Sequence, residues 1–516
     1  MLAPYRDGPG LSHRRPAGLI FAAVVLASCV AYGALFAISS EHINVALIAP
    51  VAGLVALAVW ALPADFFPAP TRTLRFLTLF ALFALAVWPN YLAIAPPGLP
   101  WITLNRLVGI GLLGSLLVCL SVSAAFRARL GEVFGSTPLL WKALLAFGGI
   151  QVFSVIVSKN VATSVDGFIT VLVAWAAVYV ASAFVFTEPR MAHRWTLVLW
   201  ASVIVVGLIS LEEYREGRVI WAGHIPDLLR IENPDVLRVL AGAQREALKQ
   251  HRVQATFTTP LGLSEYMALA LPFIVNFVIG KYSLFTRLAA AATLPMMVFA
   301  ILATQSRLGM VGLGVSALMF IFFFGALRLR RSGNDIVGRA IVLSYPVLAC
   351  LFIAASFFVG HIRHVVWGTG ATADSTQARF GQWQAGLPKI LARPWGYGLG
   401  EAAPTLNWTI ASGLVTVDSY YLTLILDYGV IGLLLYAWSL VVGIAIAIRL
   451  TFERADKDRE AGLILPATIS LANFVVIKAV FSQSDNHPLV YMLLGLVTAL
   501  AYRSQRAPAQ AEPASS

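Results

Sequence analysis

Residues 417–438 read VDSYYLTLILDYGVIGLLLYAW. A polar head, Asp418 and Ser419, opens onto an apolar run that continues to about residue 447 and carries one charge, Asp427. A run of that length without alternation crosses a bilayer as a helix, because crossing strands alternate and an open strand leaves backbone groups unpaired in lipid. Scanning outward gives about 14 such runs, near 17–39, 43–62, 74–94, 107–125, 139–157, 167–187, 195–210, 261–279, 284–303, 308–326, 340–359, 419–447, 462–480 and 488–502. Composition agrees: 59% of the 516 residues are hydrophobic, 12% are charged and the mean hydropathy is +0.79. A soluble chain carries roughly a quarter charged residues. The expected fold class is therefore all-α, a polytopic transmembrane helix bundle of about 12–14 spans with two long loops on one side.

Cys29, Cys119 and Cys350 all fall inside apolar runs and show neither a disulfide framework nor metal-ligand spacing. Arg14 and Arg15 precede the first run, and Leu26-Ala27-Ser28-Cys29 has the look of a lipoprotein cleavage box. The run continues to Ser39, longer than the apolar core of a signal peptide, so it reads as an uncleaved first helix.

Lys and Arg set the orientation. With the N-terminus in the cytoplasm, about 22 of the 37 basic residues fall on cytoplasmic segments. Only Arg106, Lys159, Arg307 and Lys478 fall on short outer ones. That asymmetry predicts both termini cytoplasmic. The resulting organisation is 1–210 N-terminal spans, 211–260 first outer loop, 261–359 central spans, 360–417 large outer loop, 418–503 C-terminal spans and 504–516 a disordered cytoplasmic tail. The net charge of +12 is thus explained by loops beside a membrane, and nucleic acid is not an expected partner. The two long outer loops hold the remaining basic residues, about 11, which points to an anionic ligand at that surface.

The first loop contains PDVLRVLAGAQREALKQHR (234–252), with Val236, Leu237, Leu240 and Leu248 at helical spacing, read as an amphipathic helix flat on the bilayer. It ends at Arg252, which either aims donors at a phosphate or anchors a helix end. Glu265, just inside the next span, is either a functional carboxylate or the partner of a loop Arg. Arg307 in TQSRLG is a third cation of this layer or an interfacial anchor. His361 and His364 have no nearby carboxylate and do not make a metal site.

In the second loop, ARFGQWQAGLPKILARPWGYGLG (378–400) reads as a short surface helix from Gln377 to Ala392, with Arg379, Phe380, Trp383, Leu387, Ile390 and Leu391 along one face. The glycine-rich segment after Pro394 suits tight turns and close approach of backbone to a ligand. His487, in SQSDNHP, reads as a loop residue rather than a base.

Four stretches in order, RVQATFTTPLGLSEYMALALP, SRLG, RFGQW with RPWGYGLG, and VDSYYLTLILDYGVIG, resemble the O-antigen ligase and O-antigen polymerase superfamily over roughly residues 250 to 435. That resemblance implies a bacterial inner-membrane glycosyltransferase, metal-independent and without cofactor, with long periplasmic loops. Its donor would be a glycan on undecaprenyl diphosphate, and its partners the bilayer and other polysaccharide export proteins. It further implies that Arg252 and Arg379 bind the donor diphosphate. Ligases of the family carry a His where this chain has Asp418, Ser419 and Tyr420, which looks more like the exopolysaccharide polymerase branch.

The chemistry fits the residues. A diphosphate leaves well once its charge is neutralised, and fixed cations do that. The attacking hydroxyl needs a proton acceptor, for which Asp418 is the first candidate and Glu265 the second. Arg307, Trp383 and Tyr420 complete the expected substrate-binding set. Two other readings stand beside the polymerase: a ligase moving glycan to a lipid or protein acceptor, and a transporter or flippase. A transporter places ionisable residues near the bilayer midplane in repeated halves. Here the charges crowd the loops.

Overall fold

The computed structural model describes residues 68–95, 101–229, 231, 233–245, 250–360, 373–409, 415–454, 460–479 and 484–506. All of them lie in one compact unit, Pro63–Ala95 with Trp101–Ser516. The first two expected spans, the paired histidines at 361 and 364 and residues 507–516 of the expected tail lie outside the described residues, while 504–506 of that tail are helical.

Helices dominate. In chain order they are α1 Thr71–Val87, α2 Leu104–Val122, α3 Ala124–Gly135, α4 Pro138–Val157, α5 Val161–Val185, α6 Met191–Glu216, α7 Pro234–Ala241 and α8 Pro260–Ile279. They continue with α9 Leu284–Ala303, α10 Arg307–Arg331, α11 Ile336–Phe358, α12 Ala373–Ala392, α13 Ala402–Leu406, α14 Tyr420–Arg454, α15 Ile464–Lys478 and α16 His487–Arg506. Ten of these are long and apolar enough to cross a membrane, and the chain is an all-α polytopic membrane bundle. Of the other two runs expected to span, α1 has 17 residues and α16 ends on Arg503 and Arg506.

Helix α8 is buried along nearly its whole length and packs against α9, α10, α15 and α6. Helix α16 is likewise buried and lies against α5. Around them, α4, α9, α10 and α11 turn Leu145, Phe285, Phe324 and Leu343 outward, as helices facing lipid do. Charged side chains gather in separate groups. Arg75 pairs with Glu188, Arg503 with Glu460 and Arg506 with Glu132. Arg252, Arg307, Arg379 and Asp418 form another group.

Two expectations are corrected. Helix α7 stops at Ala241 instead of running on toward Arg252. Gly242 (φ +79) turns the chain, and β1 Ala243–Arg245 pairs antiparallel with β2 Gln250–Arg252. A side chain at Gly242 would strike the His251 ring, so the turn lets that ring close in. Leu248 lies outside the described residues. Helix α6 runs on to Glu216, past the expected boundary, and ends at Gly217 (φ +64).

Candidate active site

The stretch 378–400 is positioned by glycine. Helix α14 is broken at Gly429 (φ +75), and the segment after Pro394 fills the break. Val430 N–H donates to Pro394 O at 2.9 Å, Tyr397 N–H to Leu426 O at 2.7 Å and Gly398 N–H to Asp427 O at 3.1 Å. A Cβ at Gly396 would lie 2.6 Å from Asp427 O, and one at Gly398 2.5 Å from Ser158 Cβ. Ser164 of α5 donates to Leu399 O at 2.7 Å. The carboxylate of Asp427 accepts the Ala402 N–H at 2.7 Å at the start of α13. So the protein's own backbone comes close to this glycine-rich loop at Gly396 and Gly398. Asp427 is its anchor.

Helix α12 presents a different face from the one expected. Gln382, Gly386 and Ile390 turn inward, with Arg379 half-buried beside them, while Phe380, Trp383, Leu387 and Leu391 turn out. The expectation had Arg379 and Ile390 on one face with Phe380, Trp383, Leu387 and Leu391. The spacing 382, 386, 390 is the true inner seam, and a polar Gln sits on it because it has a partner. Asp418 N–H donates to Gln382 Oε1 at 2.9 Å and Gln382 Nε2 donates to Asp418 Oδ2 at 3.3 Å.

Arg379 is the centre of the shallow layer. Its Nε is buried with no hydrogen-bond partner. Burial holds its guanidinium below the ordinary value, the Asp418 carboxylate pulls the other way, and the Arg307 cation pushes it further down. Two arginines and one carboxylate therefore share a site of net positive charge. Arg307, exposed, begins α10, whose first turn is capped by Ser306 accepting Gly309 N–H at 3.3 Å. Arg252 joins the same segment: its Nε donates to Thr304 O at 2.9 Å, and Val253 N–H donates to Ala303 O at 3.2 Å.

Glu213, which sequence reasoning passed over, holds the Arg252 strand in place. Fully buried near the end of α6, it accepts from Ala255 N–H at 2.6 Å, Gln254 N–H at 3.1 Å and His251 Nε2 at 2.8 Å. Ala255 has φ +48, uncommon for a residue with a Cβ, and its N–H is one of the three that Glu213 fixes. Three donors offset the unfavourable placement of a carboxylate near a helix C-terminus.

A second, deep layer lies beneath. Glu265 is fully buried and paired with Lys478, also fully buried, at 3.0 Å. The partner is a lysine of α15, not a loop arginine. Asn486 Nδ2 donates to Glu265 Oε2 at 3.2 Å and to Gly262 O at 2.9 Å. Lys478 Nζ lies 5.3 Å from the ring centres of Tyr420 and Phe474. Tyr420 is thus buried in this layer. His487, expected as a loop residue, is buried at the head of α16, where Nδ1 lies 2.9 Å from Ser484 O and the ring stacks on Trp175 at 4.7 Å. Asp485 accepts the Thr258 hydroxyl at 2.6 Å, and burial raises its carboxyl above the ordinary range.

Of the expected residues, Arg379, Arg307 and Asp418 come together, Arg252 is tied to the adjoining Thr304, Glu265 and Tyr420 lie beneath, and Trp383 points outward. Among the described residues no group of three or more His, Cys, Asp or Glu side chains is placed to hold a metal ion.

Residues 292–437 match the family model described as O-Antigen ligase. No curated protein matches the chain. The matched segment runs from the second half of α9 into α14 and contains Arg307, Arg379, Gln382 and Asp418, but not Arg252, Glu265 or Lys478.

Proposed function

We propose that this chain, an O-antigen ligase/polymerase-like membrane enzyme by that similarity, is a polysaccharide polymerase. In this reading it works at the periplasmic face of the bacterial inner membrane, joining glycan repeat units carried on undecaprenyl diphosphate. One observation carries the reading: the half-buried Arg379, its Nε unpartnered, shares a net-positive site with Arg307 and the carboxylate of Asp418. An anion with a hydroxyl nearby answers both needs.

The acceptor hydroxyl attacks the anomeric carbon of the donor sugar. The bond from that carbon to the diphosphate oxygen breaks, and its electron pair stays on the diphosphate. Arg379 and Arg307 neutralise the charge that develops there, in place of a metal ion. The hydroxyl proton passes to the Asp418 carboxylate; Gln382 holds this residue by donating to Oδ2 and by accepting its backbone N–H. Arg252 is a third cation for the same diphosphate. Glu265 and Lys478 neutralise each other and act as the floor of the site rather than as a base.

Removing the protein from its bacterium tests this. A polymerase leaves single repeat units where long chains stood. Long glycan stranded on its lipid carrier makes the protein a ligase. Full-length chains that still reach the surface sink both transferase readings and return attention to transport.

A further inference from the structure

Helix α12 is amphipathic the wrong way round for water. Its inward face holds polar groups: Gln382, Arg379 and Lys389, whose ammonium reaches the carbonyls of Thr405 and Leu406. Its outward face, from 380 to 392, is Phe380, Trp383, Gln384, Leu387, Pro388, Leu391 and Ala392, with no charge on it. Phe380 is 64% exposed, Trp383 39%, Leu387 54% and Leu391 73%. A helix bounded by water keeps its charges outside and its apolar stripe inside.

Depth supplies a second observation. Ile390 packs with Leu422 and Leu426, and a Cβ at Gly386 would lie 3.0 Å from Leu422 Cδ1. Those leucines occupy the first two turns of α14, a spanning helix. Helix α12 therefore lies beside the end of a span rather than above it. The apolar surface is also continuous. Trp395, exposed just past α12, sits by its backbone against Gly429, and α14 then turns Ile431, Leu434 and Trp438 outward.

We propose that α12 is half-immersed in the membrane leaflet on the site side, its Phe380–Trp383–Leu387–Leu391 stripe among acyl chains. Trp383 then meets lipid rather than sugar. On the transferase reading, immersion holds Arg379 at the depth of lipid phosphates, so a lipid-borne diphosphate reaches it without leaving the leaflet.

The test uses the full chain in nanodiscs of phosphatidylethanolamine and phosphatidylglycerol, with Cys29, Cys119 and Cys350 replaced by Ala. A nitroxide is attached at Leu387→Cys, at Leu391→Cys and, as a water-facing control, at Glu216→Cys. Oxygen is expected to relax the labels at 387 and 391 more than a nickel chelate does, with the reverse at 216. Preferential relaxation by nickel at 387 and 391 overturns the proposal. So does shielding from both agents, which would mean that a protein covers the stripe. Should one Leu variant misfold, the other carries the test. Transfer is not read, so an inactive role for Arg379 and a dry or wet α12 are separate outcomes.

Discussion

Lys478 and Arg379 are both cations at one end of the bundle, and the fold treats them in opposite ways. Lys478 is fully buried, paired with Glu265 at 3.0 Å and flanked by two aromatic rings. Arg379 is half-buried, leaves Nε unpartnered and has a second cation, Arg307, acting on it. A charge whose needs the protein meets is structure. On the proposed reading a charge gathered with a like charge awaits an anion from outside, and that difference separates floor from site.

The largest expected effect breaks the floor. Lys478→Met or Glu265→Gln leaves one charge buried without its partner, which costs about 3–5 kcal/mol. Unfolding in graded SDS should show the loss. The double variant should recover most of it, since a buried pair replaced by neutral groups is often near neutral. Single variants that keep full stability but abolish transfer would move Lys478 and Glu265 from floor to chemistry.

Next is the docking of the glycine-rich loop. Gly429→Ala puts a side chain at φ +75 and against the Pro394 carbonyl. A cost of about 2 kcal/mol is expected from the left-handed conformation and the clash together. Melting in detergent reads it, and an unshifted melting temperature would show that the loop is not held as described.

The smallest effect concerns Asp485. Burial raises its carboxyl, so the fold favours the uncharged form. Stability should fall as pH rises from the ordinary carboxylate value through the raised one and return below it. Asp485→Asn removes the dependence. As pH rises above the ordinary carboxylate value, the variant should therefore gain on the wild type. Parallel melting curves over that range would place the carboxyl at its ordinary value.

The all-α bundle was legible because lipid imposes long apolar helices. Arg307 and Asp418 drew notice because each sits at the edge of an apolar run, and Arg379 because it lies on a short amphipathic stretch of the large outer loop. What escaped depended on pairing between distant segments. Lys478 looked like one more outer-loop cation until Glu265, 213 residues away, met it. Glu213 sat in a cluster of acidic and basic residues with nothing to mark it as the one that turns inward. The glycines of 396–400 signalled close approach, but a single sequence does not say to what. Arg379 and Ile390 were grouped with the apolar stripe of α12, whereas Gln382, paired with Asp418, marks a separate inner seam that takes them.

The most direct test of the site is Arg379→Ala in the source bacterium, with membrane abundance and melting temperature matched to wild type and the polysaccharide sized on a gel. Losing one preorganised donor to developing charge slows such a step on the order of 10²-fold. Long chains should therefore disappear while the protein stays folded. Chains of unchanged length at equal abundance would remove Arg379 from the site and contradict the division between a satisfied floor and an unsatisfied, diphosphate-binding layer above it.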